Sequence, residues 1–468
     1  MKSVWLALAP ALGLAACEGP FVPPSVRNPP PPPVAAIQIT PDSTAVIAGD
    51  TAFLTATLRD STGSVLTGRS VSWQTSDSSV AIVSPAGVVV TFNAGSVRIS
   101  ASAEGRSSSV PVVVQPLLLV GVATGGIHTC AAANNGHAYC WGDNTAGQVG
   151  DGTGSLIEPL PHAAIAAARF DVAAAGTLHS CALTPTGAAY CWGRNTEGEL
   201  GRGSAPGDNT IPAPVLTSLT FSAIAAGGAH SCALSSAIAY CWGLNSAGQL
   251  GDNSTMMQLT PTRALAEVSL TTIVAGVNHT CALSSAGPVY CWGQNTLGQV
   301  GDSTQTERHA PTAVVGGLTF SSLSAGGNHT CALTASGTAY CWGSNTRREL
   351  GAGLPDTAVS APAAVTGALS FTLITAGGAH TCGLTADGLA YCWGDNDSGQ
   401  LGDSSSTERA VPTAVYGATR FATLEAGGNH TCGSTAARVV YCWGDGLRGQ
   451  LGRGVQQSSL VPVKVLGP

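Results

Sequence analysis

The residues of this chain with chemistry to offer are fifteen cysteines and a set of evenly spaced histidines. A His-Ser/Thr-Cys triplet starts at His128, His179, His230, His279, His329, His380 and His430, and a Tyr-Cys-Trp-Gly run follows at Tyr139, Tyr190, Tyr240, Tyr290, Tyr340, Tyr391 and Tyr441. An imidazole two residues from a thiol could ligate a metal or activate a thiolate, and two thiols could oxidise together. Zinc sites want cysteines two to four residues apart, whereas nine residues separate the two cysteines of every copy but one. No nucleophile elbow, phosphate loop, H-E-x-x-H or calcium loop is present, and Asp395-Asn396-Asp397 lacks the spacing of an EF-hand. Spacing therefore nominates no catalytic, cofactor or metal residue. It leaves open a carboxylate pair that folding alone would bring together.

The elements that must position these residues are legible in Gly326 to Gly351, GGNHTCALTASGTAYCWGSNTRRELG. A three-residue loop, Ala335-Ser336-Gly337, pairs Thr334 with Thr338 and sets Cys331 opposite Cys341, with Gly337 where such a hairpin wants a left-handed residue. Directly opposed Cβ atoms lie about 4.5–5.5 Å apart, a small adjustment from the ~3.8 Å of a disulfide. The third copy lacks the loop glycine, and a two-residue loop, Ser236-Ala237, restores the same opposition. The pairs are accordingly read as disulfides: Cys130 with Cys140, Cys181 with Cys191, Cys232 with Cys241, Cys281 with Cys291, Cys331 with Cys341, Cys382 with Cys392, and Cys432 with Cys442. The alternative is seven pairs of reduced thiols acting as small buried hydrophobes. Disulfides imply an oxidising compartment and contribute roughly 2–3 kcal/mol each for loops this short. After each hairpin comes Trp-Gly-x-Asn-x-x-Gly-Gln-Leu-Gly, in which Asn144, Asn195, Asn245, Asn295, Asn345 and Asn396 are expected to bond their own backbone or turn left-handed. A period of about 50 residues points to a propeller, solenoid or array.

The pattern G-G-x-H-T-x-A-L-x-x-x-G-x-x-Y-x-W-G-x-N-x-x-G-Q-L-G resembles the repeat of the regulator-of-chromosome-condensation propellers. The resemblance implies a seven-bladed β-propeller of four-stranded blades over 116–468, to which the paired cysteines are an addition. On that fold the histidines and tryptophans are expected in the packing between blades. Gln148, Gln249, Gln299, Gln400 and Gln450, replaced by Glu199 and Glu349, are expected in turns or bridging blades. The closing Val461-Pro-Val-Lys-Val465 is expected to pair into the first blade and lock the ring, since an open ring leaves unpaired edges.

The remaining chain divides by composition. Residues 1–17 read as a bacterial lipoprotein signal: a basic Lys2, an apolar run too short to cross a bilayer, and Leu14-Ala15-Ala16-Cys17, which resembles a lipobox with Cys17 as the lipid-bearing residue. Residues 18–33 hold eight prolines and form a semi-rigid spacer. Residues 34–115 alternate apolar and polar residues between turns at Asp60–Gly63 and Pro85–Gly87, the mark of a β-sandwich of about seven short strands. That text is similar to the bacterial Ig-like group 2 domain, which implies a stalk or an adhesive module. The whole is expected to be all-β, as sixty glycines and 10 % charged residues suit. A net charge of −7 argues against nucleic acid.

Positions that differ among the copies are the candidates for recognition, because rigid scaffolds carry binding on their loops. They lie in the connections that follow each Gly-Gln-Leu-Gly. The charged or bulky ones are Arg202, Met256, Met257, Glu307, Arg308, Asp356, Glu408, Arg409 and Arg453, with Arg347 and Arg348 just upstream. The expected protein is a non-enzymatic, monomeric surface lipoprotein that binds a protein or cell-envelope macromolecule, held to the membrane only by its lipid. Family resemblance also implies an enzyme inhibitor acting through the propeller face, or guanine-nucleotide exchange on a GTPase that an exported chain would not meet.

Overall fold

The computed structural model describes residues 30–467, so the expected signal segment, Cys17 and most of the proline-rich spacer lie outside the described residues. Every regular element described is a strand. Between Ala36 and Gln115 ten short strands form the sandwich, more than the seven expected. One of the added strands arises at Leu54, where one apolar run divides. Thr51–Phe53 pairs with Val88–Thr91, while Thr55–Arg59 crosses to pair with Ala36–Thr40. The Leu54 amide bridges the break by donating to the Gly87 carbonyl. Val97, Ile99 and Ala101 alternate into the core as their pattern requires, and Trp73 packs on this aliphatic cluster.

From Leu119 onward the chain folds into seven four-stranded antiparallel sheets, one for each repeat. Blade 1 comprises Leu119–Thr124, His128–Ala133, Ala138–Asp143 and Ile157–Ala163. Blade 7 comprises Thr423–Ala426, His430–Ser434, Val440–Gly444 and Ser459–Lys464. The expected hairpins are present. Cys331 lies opposite Cys341, Gly337 has φ +83°, and Ser236 and Ala237 of the tighter third hairpin both adopt positive φ. All seven cysteine pairs are disulfide-bonded, with Cα atoms 4.1 Å apart, and each is buried.

Ring closure departs from expectation. Ser459–Lys464 pairs with Val440–Gly444 of its own blade, not with blade 1. Blade 7 meets blade 1 side-on instead, through His430 Nε2 to Thr129 Oγ1 at 2.8 Å, Trp141 Nε1 to the Gln450 carbonyl at 2.9 Å, and the Gly428 amide to the Gly125 carbonyl at 3.0 Å. These contacts repeat those between every other pair of neighbours, so the ring needs no shared strand. Antiparallel order then sorts the connections. The Gly-Gly turns and the long third-to-fourth connections open at one end of the ring, and the hairpin turns at the other.

Candidate functional site

Seven histidines at the blade junctions form the most ordered polar array in the molecule, and it is structural. Each is fully buried. Its Nε2 faces the hydroxyl of the Ser or Thr in the next blade's triplet, as in His128 to Ser180 at 2.8 Å and His329 to Thr381 at 2.9 Å. That hydroxyl donates its proton to the carbonyl of Gln148 or its counterpart, for instance Ser180 to Gln148 at 2.9 Å. A hydroxyl has one proton, so it must accept from the imidazole, which fixes the neutral Nε2–H tautomer. Burial holds these imidazoles at about 3 to 4. The same carbonyl also accepts from the next blade's tryptophan, Trp192 Nε1 at 2.9 Å in the first case. The histidine's partner is thus a strand hydroxyl of the next blade, which places it in the packing between blades as expected. The Gln and Glu residues do both expected jobs: the side chain closes its own turn, Gln148 Oε1 accepting from the Ala146 amide, while the main chain bridges blades.

The asparagines that recur in six copies connect this hub to the rim. None turns left-handed; glycines supply the positive φ. Asn245 Oδ1 accepts from the Leu250 amide at 3.0 Å, and its Nδ2 donates to Asp252 Oδ1 and to the Met256 carbonyl, at 3.1 and 3.0 Å. Asn295 and Asn396 repeat this on Thr306 and Thr407. In these copies the variable connection is held by its backbone, which leaves side chains such as Met256, 70 % exposed, free to face solvent.

All eleven recognition candidates lie on or beside these connections, but they do different work. Arg308 and Arg409 are committed to their own loops, bonded to the buried carboxylates of Asp302 and Asp403 at 2.5 and 2.7 Å. This corrects their reading as free recognition groups. Glu307 is exposed and 3.9 Å from His309. Arg202 and Arg453 have no ion-pair partner among the described residues. Arg347 reaches from blade 5 to Asp397 (2.7 Å) and Glu408 of blade 6, and Arg348 pairs with Asp356 at 3.2 Å. Arg348 has φ +63° at the position that six copies give to glycine.

Two features escaped sequence reasoning. The inner strands enclose a central channel of about 300 Å³ whose walls carry a single ionisable side chain, Glu425, pushed up to about 7 by burial. The Ig-like domain also docks on the hairpin end of blade 1. Asp50 lies 3.4 Å from His137, and Gly49 covers the Tyr139 hydroxyl so closely that a Cβ would fall 2.7 Å from it. Tyr139 is buried, whereas the matching tyrosines of the other blades are half-buried.

Comparison with known proteins agrees with this architecture. Residues 159–467 match the RCC1-like domain, 119–148 the regulator of chromosome condensation (RCC1) repeat, and 33–114 the bacterial Ig-like domain (group 2). Among curated proteins, the ultraviolet-B receptor UVR8 of Arabidopsis thaliana is 34 % identical over 121 residues, covering 25 % of this chain and 27 % of the receptor. The probable E3 ubiquitin-protein ligase HERC6 of Homo sapiens is 31 % identical over 126 residues, covering 26 % of this chain and 12 % of the ligase. The chain thus aligns with about a quarter or less of those relatives' own length. Among solved structures, human WBSCR16 superposes with TM-score 0.65 at 22 % identity, covering 71 % of this chain and 95 % of that one. Yeast RCC1 (Prp20), solved bound to Kap60, gives 0.64 at 22 % identity over 75 % and 85 %. At such identities the likeness concerns the fold.

Proposed function

This chain belongs to the RCC1-like domain family, and from that premise we propose that it is a non-enzymatic, exported binding protein. Its third-to-fourth connections form the recognition surface, centred on Arg347 and Arg348 and extended by Met256 and Met257. The disulfides and the bacterial Ig-like domain are consistent with a location outside the cytoplasm. Lipid attachment at Cys17 would tether it there, and the Ig-like domain docked on the hairpin end leaves the opposite end for a partner.

The observation that carries this reading is Arg348. A non-glycine residue at φ +63° costs on the order of 1–2 kcal/mol, and glycine serves the other copies there. Strain kept at an exposed position supports a role in contact. The ligase named among the relatives is matched over 12 % of its length, and every described cysteine is already paired, so none offers a thiol. The partner is a macromolecule with a mixed polar and apolar surface, because the two arginines sit among Asp356, Asp395, Asp397 and Glu408 rather than alone. To test the proposal, the oxidised full-length protein is used to capture partners from cell-envelope extract, with cross-links mapped by mass spectrometry. Cross-links should fall on residues 254–257, 347–356 and 408, and the R347A/R348G variant should lose the partner while keeping its melting temperature. Cross-links confined to the Ig-like domain would overturn it.

A further inference from the structure

Two residues of blade 1 depart from the other blades beside a loop aspartate that blades 3, 4 and 6 share. Asp151 begins the long connection, Glu158 stands opposite Gly142, and His162 stands opposite Cys140. At the positions of Asp151 and Glu158, blades 4 and 6 place Asp302 with Arg308 and Asp403 with Arg409. Blade 3 bonds Asp252 Oδ2 to Gln258 Nε2 at 3.1 Å. In each of these the strand residue supplies the donor that the loop carboxylate needs. Blade 1 sets a second carboxylate there instead, and both acids are buried, with Asp151 only 7 % exposed.

Asp151 Oδ1 is occupied by Thr153 and Asn144, but Oδ2 is buried without a hydrogen-bond partner. It is directed at the ring of His162, which replaces the Thr, Ala or Val of the other blades. Nδ1 lies 3.5 Å from Asp151 Oδ2, and Nε2 lies 3.1 Å from Glu158 Oε2. One donor atom from each residue falls within 4.8 Å of the others. One ion takes only one of the two ring nitrogens, and donors bound at about 2.0–2.2 Å around a tetrahedral ion are separated by about 3.3–3.6 Å, so a turn of the partly exposed imidazole closes the trio on a metal. The other acidic trio, Asp395, Asp397 and Glu408, already receives the Arg347 guanidinium, which leaves the blade 1 trio as the one without an arginine.

We propose that Asp151, Glu158 and His162 bind a divalent transition cation of the zinc type. The ion supplies in blade 1 the positive charge that arginine supplies in blades 4 and 6. An imidazole with two carboxylates suits zinc and its neighbours, whereas magnesium and calcium favour oxygen throughout. His162 is 41 % exposed at its side chain, giving the ion a path in and leaving a coordination position open to water or to a partner's carboxylate. The same atoms without metal would form a histidine clamp between two carboxylates, and the experiment separates the two.

Tag-free, fully oxidised full-length protein is stripped with chelator, then titrated with cobalt(II) followed by visible absorption and with zinc followed by calorimetry. One equivalent of each is expected, with zinc displacing the cobalt band. Glu158→Arg rebuilds the Asp–Arg pair of blades 4 and 6, so it should preserve the melting temperature while weakening zinc binding more than about a hundredfold. Absence of uptake by the unmodified protein would establish the clamp and overturn the metal site. Equal uptake by the E158R variant would place the ion elsewhere, at exposed histidines such as His309, and overturn it as well.

Discussion

The hub and the rim of this propeller are built from the same fifty-residue unit under opposite constraints. At the hub every side chain touches the next copy of itself. His329 needs the hydroxyl of Thr381, and Thr381 needs the carbonyl of Glu349. A change in one copy must suit its neighbours on both sides, so the chemistry repeats and only Ser for Thr or Glu for Gln is seen. At the rim a side chain meets solvent, and each connection differs. The asparagine spokes let both hold at once, since they fix the loop backbone and leave its side chains free to vary. Uniformity in a repeat thus marks contact between copies, and variation marks contact with something else.

Acid should break the hub first and most. Burial keeps the seven imidazoles neutral at about 3 to 4, below the ordinary value of about 6.5 that they regain on unfolding. Their folded pKa is depressed, so stability is complete only well above pH 6.5 and falls as the unfolded chain takes up protons through that value. At pH 5 the loss is about 2 kcal/mol per histidine, and seven together rival the whole stability of a typical domain. A melting temperature that holds from pH 8 to about 7.5, is already lower at pH 6.5 and drops steeply by pH 5 is expected. A flat profile to pH 4 would show that the hub is not the seat of stability.

Truncating a single hub residue should cost less than that, yet far more than any rim change. Trp342 is buried, donates to the Gln299 carbonyl at 3.0 Å and packs beside Phe320. Trp342→Ala should destabilise by about 3–5 kcal/mol, measured by chemical denaturation, whereas Met256→Ala should remain within about 0.5 kcal/mol. Replacing Cys331 and Cys341 together by alanine ranks next, at about 2–3 kcal/mol. The disulfide lies in the same inter-blade core as Leu350 and Trp393, so the loss should appear as easier unfolding, with the ring still closed.

How much of this was legible in the chain follows the same division. The hairpin register could be read because loop length sets it, and Cys232 to Cys241 kept its opposition through a deletion. Blade number followed from counting. Ring closure could not be read, because a periodic sequence carries no phase and the pairing of Ser459–Lys464 is decided by three-dimensional contact. The histidine's partner left a weak signal, a hydroxyl residue after every repeat histidine. Asp151, Glu158 and His162 left none, since a register shift between Cys140 and Gly142 brings them together. The same holds for Tyr139, whose burial depends on a separate domain.

A small gain in stability is the sharpest test of the rim. Arg348→Gly removes a side chain from a backbone conformation that favours glycine, so the fold should gain about 1 kcal/mol. The ion pair given up, Arg348 to Asp356, is exposed on both sides and contributes little. A binding residue retained against stability should then show the trade directly, with a higher denaturation midpoint and weaker capture of the partner by the same variant. Were the variant less stable than the parent, Arg348 would belong with Arg308 and Arg409 as a loop brace, and the recognition surface would have to be sought at Met256 and Met257 instead.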